Sequence, residues 1–586
     1  MYRPDHHDHH RRSTSSTVIG DNDSIDISRD PSVITDSHAS SPRLSFDQQQ
    51  SANASKDAFH VLGPHISSFS TRPFPDTDSQ DTMTVEESLN GEKVSIQEAE
   101  ETEGSSMDEE QAKPGPPAAV GFWHPGLAQT RKEVFRRYSG TLFILCFAIM
   151  GILSIYWGVL FDVKHNLHKA TVVVVSFEGT APYEDYTPIV GPWVWAECER
   201  EMASRYDHLG FVQKSPADFN YDPHEVRLSV FNEEIWAAII INSNATALLR
   251  QAVETGNSSY DPRGAALMVY NQARDIESYN FYIVPVLRRI IYDATTTFAT
   301  DWAQQVLANT TLNSTIYSQA PQAVSPGIAF TTLNLRPFDP PTAIPTITIG
   351  LIYLIIIAFF AFSFFISTHM KFVLPNPLAP HPPLKFPQLI LYRWCATMTA
   401  YFFLAMSYSL VSLAFQIPFS NSPPLEPSIL NVNGKWSPYE PVANANYLGH
   451  ATFFVYFLLN FVGMAALGLT CENMAMFLSA LSPLPFSALF LIWWVITNVS
   501  TAFYAIELAS GFYRWGYAWP LRHIVAGSKT LVFGTRSDLG LNFGVLLAWV
   551  AVGSLLFPVA CWVMRWKAMK DRQRAAELAR KVEAMK

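Results

Sequence analysis

Six long apolar runs divide the chain and predict its architecture. Each run has about the ~20 residues that an α-helix needs to cross the hydrocarbon core of a bilayer. The runs occupy residues 141–161, 344–367, 396–418, 447–471, 484–504 and 543–564. A long polar stretch precedes the first run, and a polar stretch of domain size separates the first run from the second. The pattern predicts an α-helical polytopic membrane protein with six transmembrane helices.

Basic residues beside the runs predict the orientation of the chain. One basic cluster lies just before the first run and another follows the last run. Cytosolic flanks are enriched in Lys and Arg, so both termini are expected in the cytosol. The first run then acts as an uncleaved signal anchor, and the segment after it lies outside. Four basic residues oppose this orientation, and we interpret them as side chains that reach lipid headgroups. They are Arg514, Arg522, Lys529 and Arg536.

The polar stretch between the first two runs alternates strand-like and helix-like patterns. Strands are predicted at 170–179, 236–241 and 265–270. Helices are predicted at 191–206, from 224 to the strand that begins at 236, from Ser243 or Asn244 onward, and over 277–307. This alternation is typical of an α/β domain. Four glycosylation sequons in the stretch agree with an extracytoplasmic location. The candidate acceptors are Asn244, Asn257, Asn309 and Asn313.

Composition and patterning together define the predicted units. They are a disordered cytosolic tail at 1–130, a transmembrane helix at 138–161, an extracytoplasmic α/β domain at 162–342, a five-helix membrane domain at 343–565 and a basic cytosolic tail at 566–586. Charged residues make up only 16% of the chain, below the ~25% of soluble domains. No basic stripe suited to nucleic acid is present. The five dispersed cysteines predict neither a disulfide framework nor a metal site.

An aromatic segment at 505–540 separates the last two runs. Aromatic rings beside cations are typical of a membrane–water interface. Gly511, Gly516 and Pro520 interrupt any continuous helix. We therefore predict a short broken helix that lies on, or dips into, the outer membrane face; an ordinary aromatic loop is the alternative. The candidate lipid contacts, with the two arginines as phosphate partners, are Arg514, Trp515, Trp519 and Arg522.

Polar residues within or beside the apolar runs are a second set of candidates, because lipid offers them no partner. They are Asn460, Glu472, Asn498 and Glu507. The alternative for Asn460 and Asn498 is hydrogen bonding between helices, worth only ~0.6 kcal/mol on average. For Glu472, which follows the fourth run, the alternative is a solvated loop carboxylate. No catalytic constellation or cofactor motif is found. Residues 526–530 resemble the end of a phosphate-binding loop but lack its upstream glycine and strand.

The last third of the chain resembles the fungal nitrosoguanidine-resistance membrane protein family. The likeness spans about residues 136–564. It rests on Asn498-Val-Ser500, Glu507-Leu508, Gly511-Phe-Tyr-Arg-Trp-Gly-Tyr-Ala518, Pro520-Leu521, Leu531-Val-Phe533, Leu541-Asn-Phe-Gly-Val545, Arg393-Trp-Cys395 and the Gly468/Glu472 pair. That family is similar in architecture to the membrane domains of type-two ABC exporters and to phage-infection-protein-like proteins. The resemblance implies one helix, a large outer domain and then five helices.

These observations give the functional expectations. The first is a plasma-membrane protein, not an enzyme, that exports or moves outward lipids or amphiphilic drugs and confers resistance to nitrosoguanidine-type mutagens. The alternative is a non-transporting regulator or scaffold of lipid asymmetry. Enzyme activity is a third, weaker interpretation. Membrane lipids are the expected partners. A separate ATPase subunit is a possible further partner, because the sequence encodes no ATPase, and a second copy of the chain is another.

Overall fold

A computed structural model describes residues 119–309, 315–373, 382, 384–419, 429–432, 435–438, 448–481 and 486–584. The predicted disordered tail at 1–130 lies mostly outside the described residues, as does the sequon at Asn313. All described residues belong to one compact unit, Pro117–Lys586.

A long helix and a mixed sheet form the first half of this unit. The longer helices and the strands are, in order, α1 Ala128–Phe161, β1 Thr171–Ser176, α2 Val190–Ser204, β2 Gly210–Lys214, α3 Pro223–Phe231, β3 Ala237–Ile241, α4 Ala245–Thr255, β4 Ala266–Tyr270, α5 Val284–Ala308 and β5 Phe330–Asn334. The sheet order is β2-β1-β3-β4-β5, and only the β3–β4 pair is antiparallel. A three-residue helix, Ile276–Ser278, and a π-helical turn, Tyr279–Ile283, precede α5. Two more short helices, Ile316–Gln319 and Pro321–Val324, precede β5.

The central strands are buried on both faces, which explains why they read as continuous apolar runs. β1 has the sequence TVVVVS and β3 has AAIII. Val172 and Ile239 pack into the core shared with α2, α4 and α5, whereas Val173 and Ile240 pack into the core shared with α3. Strands β1, β3 and β4 thus lie where the sequence predicts strands. Adding helices on both faces gives the predicted α/β domain.

The three sequons whose asparagines lie among the described residues differ in access. Asn244 is only 1% exposed and precedes the first residue of α4, so the folded domain leaves no room for a glycan there. This corrects the sequence-based candidate, because a sequon carries no information on burial. Asn257 and Asn309 are both exposed, at the end of α4 and of α5 respectively. They remain candidate acceptors.

Cys198 of α2 is expected to resist thiol reagents in the folded protein. Burial, with Glu197 and Glu201 nearby, raises the pKa of its thiol to about 12, and the thiolate is the reactive form. Maleimide labelling at pH 8 should leave Cys198 unmodified until the domain is unfolded. An Ala196→Cys variant on the exposed side of α2 is the matched control and should label at once. Equal labelling of both positions in folded protein would contradict this packing.

A bundle of apolar helices forms the second half. Its helices are α6 Ile349–Met370, α7 Phe386–Ala414, α8 Thr452–Leu481, α9 Phe486–Ala502, α10 Pro520–Phe533 and α11 Leu539–Ala584. A short helix, Ala343–Ile347, precedes α6, and a two-stranded ribbon, Ile429–Val432 with Lys435–Pro438, lies between α7 and α8. Among the described residues, α1, α6, α7, α8 and α11 are long and apolar enough to cross a membrane. Helix α9, the predicted fifth span, is apolar but has only 17 residues.

Several helices extend beyond the predicted boundaries. Helix α1 begins at Ala128 rather than at residue 138, and α8 continues past Cys471 to Leu481. The C-terminal stretch predicted as a separate basic tail from 566 continues α11 to Ala584. Hydropathy marks where a segment leaves the apolar range, not where its helix ends. The Ala, Glu, Lys and Arg residues after Trp566 are strong helix formers, so the helix continues.

Candidate functional site

A buried ion pair joins α7 to α8 within the bundle. Arg393 is 0% exposed and Glu472 is 2% exposed. The Arg393 Nη2 donates to Glu472 Oε1, and Thr397 Oγ1 donates to Glu472 Oε2 at 3.1 Å. The sequence placed Glu472 just after the fourth apolar run, with a solvated loop as the alternative. That interpretation is wrong, because α8 continues through Glu472 and buries it.

Apolar and sulfur-bearing groups surround the rest of the guanidinium. Arg393 Nη1 lies 3.2 Å from the Met476 sulfur and 3.1 Å from the Met564 sulfur. Its central carbon lies 5.9 Å from the ring centre of Phe362 and 5.6 Å from that of Phe557. These neighbours replace little of the hydration that the ion loses. Glu472 is therefore the group that keeps Arg393 in the bundle.

A groove between α6 and α7 leads to this ion pair. Its cavity has a volume of about 390 Å³, and Glu472 lies among its lining residues together with Phe362, Phe365, Ala396 and Ala400. A second cavity of about 400 Å³ adjoins it, because Ala361 and Phe365 line both. The residues that complete the second cavity are Ile357, Phe360, Phe364 and Leu404. The two cavities form one apolar groove with a polar group at one end.

Few polar atoms face the groove. Glu472 is the only Asp, Glu, Lys or Arg among its described lining residues. Tyr401 lines the groove, and its hydroxyl is buried against Gly468 without a hydrogen-bond partner among the described residues. The imidazole Nδ1 of His369 lies 3.3 Å from the hydroxyl of Tyr392. A ligand in the groove would therefore contact mostly hydrocarbon. The polar side chains among the described lining residues belong to Thr368, His369, Tyr392, Thr397, Thr399, Tyr401 and Glu472.

The aromatic segment between α9 and α11 has a mostly exposed first part and a buried second part. It forms a 3₁₀ helix, Gly511–Ala518, followed by α10, in which eleven of fourteen residues are buried. Asn498 of α9 fixes the start of α10. Its Oδ1 accepts from the backbone N–H of Leu521 at 3.2 Å, and its Nδ2 donates to the Trp494 carbonyl at 2.9 Å. Asn498 thus satisfies one of the free N–H groups at a helix start.

The four predicted lipid contacts have different surroundings. Arg522 lies 3.5 Å from the Glu507 carboxylate, donates to the Thr501 carbonyl at 3.4 Å and stacks on Tyr517. Its charge is already balanced by Glu507 within the chain. Arg514, by contrast, is exposed and forms no hydrogen bond or ion pair with a described residue. The structure does not bring these two arginines into one phosphate-binding arrangement.

The two tryptophans are part of an internal aromatic cluster. Trp519 Nε1 donates to Thr497 Oγ1 at 3.2 Å. Its ring centre lies 5.0 Å from that of Trp515, 5.8 Å from that of Trp494 and 5.7 Å from that of Trp549. Both Trp515 and Trp519 are half-buried. These contacts connect the 3₁₀ helix to α9 and α11, which limits the surface that either ring can offer to lipid.

Polar contacts connect α10 to the α/β domain around a charged cavity of about 110 Å³. Lys529 Nζ donates to the Arg274 carbonyl at 2.8 Å, and Arg336 Nε donates to the Gly534 carbonyl at 3.0 Å. Burial raises the pKa of Glu233 in this cavity, although Arg274 and Lys529 oppose the shift. Residues 526–530 lie inside α10, so the stretch that resembles a phosphate-binding loop is helical.

The remaining polar candidate, Asn460, lies in α8 and is fully buried. Its Nδ2 donates to Ser409 Oγ of α7 at 2.9 Å, which is the helix–helix hydrogen bond weighed as its alternative. The site residue that sequence reasoning missed is Arg393, which it named within the Arg393-Trp-Cys395 motif but not among the candidate site residues. The available signal was an arginine just before the third apolar run, together with a Glu just after the fourth.

These features define an integral membrane protein with a polytopic helical bundle and an α/β domain. The chain belongs to the family described as "Protein of unknown function (DUF3533)", which matches residues 141–555 and therefore both Arg393 and Glu472. It is 24% identical over 507 residues to YJR015W, an uncharacterized endoplasmic reticulum membrane protein of Saccharomyces cerevisiae. That match covers 82% of this chain and 90% of the yeast protein. No solved structure matches the chain.

Proposed function

We propose that this protein moves, or helps to move, lipids or amphiphilic drugs outward across its membrane. The observation that carries the proposal is the groove between α6 and α7, which ends at the buried Arg393–Glu472 pair. Apolar pockets with a few convergent polar groups are the usual form of small-molecule sites. Ionisable residues inside membrane helices are expensive, so they commonly mark substrate pathways.

The position of the groove agrees with uptake from the cytosolic leaflet. Phe362 and Phe365 lie in the last half of α6, and Ala396 lies early in α7. The connection at 371–385 joins these two helix ends, and the predicted topology places it in the cytosol. An amphiphile would then enter the groove laterally from the inner leaflet. Because the chain carries no ATPase motif, we further propose that a separate ATPase subunit supplies the energy.

The resemblance to the nitrosoguanidine-resistance family supports a role in tolerance of such mutagens. For location we propose the plasma membrane, where outward movement would remove a drug from the cell. The name of the yeast relative gives the endoplasmic reticulum membrane instead. Fluorescence microscopy of a tagged full chain with markers for both membranes distinguishes the two locations.

A non-transporting regulator or scaffold of lipid asymmetry is the second candidate. It is favoured by the polar contacts of the α/β domain with α10 and the residues after it, in which Lys529 binds the Arg274 carbonyl and Arg536 binds the Asn232 carbonyl. Through these contacts, a partner bound to the α/β domain would act on the bundle. In this case the groove would be dispensable.

Filling the groove is expected to reduce function. An Ala400→Phe variant places a ring in the cavity, and an overpacking penalty of about 1–3 kcal/mol on ligand binding corresponds to roughly 5- to 150-fold. Growth with a nitrosoguanidine-type mutagen and outward movement of a fluorescent lipid are measured at equal membrane abundance. The matched control is Ala414→Phe, at an exposed position on the same helix. Normal function of the Ala400→Phe variant would favour the regulator.

A further inference from the structure

We infer that the groove between α6 and α7 binds amphiphiles whose head group donates hydrogen bonds, a hydroxyl or a protonated amine, and rejects anionic amphiphiles. The inference deepens the proposed function, on which it rests for the biological role of binding. Three features of the groove carry it. They are the carboxylate of Glu472 at one end, the phenol of Tyr401, which has no hydrogen-bond partner among the described residues, and the apolar walls that continue away from both.

The carboxylate sets the electrostatic preference. Glu472 lines the groove, whereas its partner Arg393 is fully buried behind it and is not among the lining residues. An ionised carboxylate has about four acceptor positions, and Arg393 and Thr397 each occupy one. Acceptor capacity therefore remains on Glu472, which is one of the lining residues. A head group that donates a hydrogen bond fits this surface.

The same geometry disfavours anions. An anionic head would approach Glu472 with no Lys or Arg side chain among the described lining residues to compensate it. Like charges repel strongly where water is scarce. Fatty-acid and phosphate head groups are therefore expected to bind much more weakly than an uncharged or cationic head on the same chain.

Tyr401 supplies a second polar atom. Its hydroxyl is buried, lies against Gly468 of α8 and has no hydrogen-bond partner among the described residues. A buried hydroxyl without a partner is unusual and calls for an explanation. Its oxygen can accept from either kind of head group, and its proton can be donated to a ligand hydroxyl. A bound head group would satisfy both Tyr401 and the free acceptor positions of Glu472.

The walls accommodate a hydrocarbon body. Phe362, Phe365 and Ala400 line the first cavity, and Phe360, Phe364 and Leu404 continue the wall in the second. Phe364 is 73% exposed, so the second cavity opens on the side of the bundle. A chain that extends along both cavities would keep its head at Glu472 and its tail toward the lipid. The groove is therefore suited to one alkyl chain or a body of similar width.

Three probes of equal chain length test this preference. Purified full-length protein in phosphatidylcholine nanodiscs is titrated with dodecylamine, dodecanol and dodecanoate, and bound ligand is counted by native mass spectrometry. We expect dodecylamine and dodecanol to bind. Dodecanoate should bind at least about tenfold more weakly, which is a difference in binding free energy of at least about 1.4 kcal/mol. Tighter binding of dodecylamine would identify the ammonium as the preferred head group, and tighter binding of dodecanol the hydroxyl; equal binding of these two would show that hydrogen-bond donation, without charge, is recognised. Equal binding of all three probes would overturn the inference.

Variants locate the binding. Ala400→Phe should weaken the binding of both dodecylamine and dodecanol, Tyr401→Phe should weaken the binding of dodecanol severalfold, and the control Ala414→Phe should bind both normally. Glu472→Gln should weaken dodecylamine more than dodecanol, because glutamine keeps an acceptor but no charge. Glu472→Gln removes the ionic partner of Arg393 and can unfold the bundle. If it unfolds the bundle, the test rests on Ala400→Phe and Tyr401→Phe alone. Binding that is unchanged in both of these variants would show bulk-lipid occupancy only.

The binding and transport results separate the two proposals. Selective binding without any effect of Ala400→Phe on lipid movement or drug tolerance would leave the inference standing and contradict the proposed function. Loss of lipid movement in Ala400→Phe without head-group selectivity would contradict the inference alone.

Discussion

Removing either member of the Arg393–Glu472 pair is expected to destabilise the bundle by about 3–5 kcal/mol, because the remaining ion stays buried without its counter-ion. Arg393→Met leaves the carboxylate with only Thr397 as a described hydrogen-bond partner. Glu472→Leu leaves the guanidinium among sulfur atoms and aromatic rings. The measurement is thermal or denaturant-induced unfolding of the purified protein in one detergent.

The stability of the double variant shows whether Arg393 and Glu472 act as a buried pair or as two independent side chains. Well-packed apolar residues often replace a buried ion pair at little or no cost. Arg393→Met with Glu472→Leu should therefore be more stable than either single variant. Arg514→Gln is the control, because Arg514 is exposed and unpaired among the described residues, and it should unfold like the parent protein. A double variant whose loss equals the sum of the single losses would contradict the pairing.

Adding one methyl group at Gly468 is the second large perturbation. A Cβ at this position would lie 2.5 Å from Cζ of Tyr401 and 2.8 Å from its Cε2, closer than real carbon contacts. Gly→Ala inside a helix normally stabilises by roughly 0.5–1 kcal/mol. Here overpacking against a fully buried ring reverses the sign, and Gly468→Ala should cost about 1–3 kcal/mol. Unfolding under the same conditions measures it.

Two further variants control this comparison. Gly544 in α11 has nothing within 4 Å of its added Cβ, so Gly544→Ala should be neutral or slightly stabilising. Combining Gly468→Ala with Tyr401→Ala removes the clashing ring, and the cost of the pair should then be smaller than the sum of the single costs. If Gly468→Ala is as benign as Gly544→Ala, helices α7 and α8 do not approach each other as described.

The architecture was largely predictable because its signals are local. Apolar runs long enough to span a bilayer coincide with α1, α6, α7, α8 and α11. The buried strands β1 and β3 are runs of β-branched and small apolar residues. The edge strands β2 and β5 were missed, because GFVQK and FTTLN are about half polar and only one residue of each is buried. Their pairing depends on neighbours distant in sequence, and no local pattern encodes it.

The site was predictable only in part. An acidic residue beside an apolar run indicated Glu472, but its partner lies 79 positions away on another helix. Asn498 was also identified, yet its contact with the backbone of Leu521 depends on how α10 folds back against α9. For Arg522, the expected lipid phosphate is replaced by Glu507 of the same chain. In each case residue type predicted the need for a partner, and only tertiary structure identified that partner.

Photocrosslinking tests the central claim most directly. A photoactivatable long-chain amine is added to the full-length protein in membranes, and the labelled peptides are identified by mass spectrometry. We expect labels concentrated on the walls of the groove, at Phe362, Phe365 and Ala400, and lost with Ala400→Phe but not with Ala414→Phe. Labels spread evenly over the exposed apolar faces of α1 and α11 would contradict a ligand groove between α6 and α7.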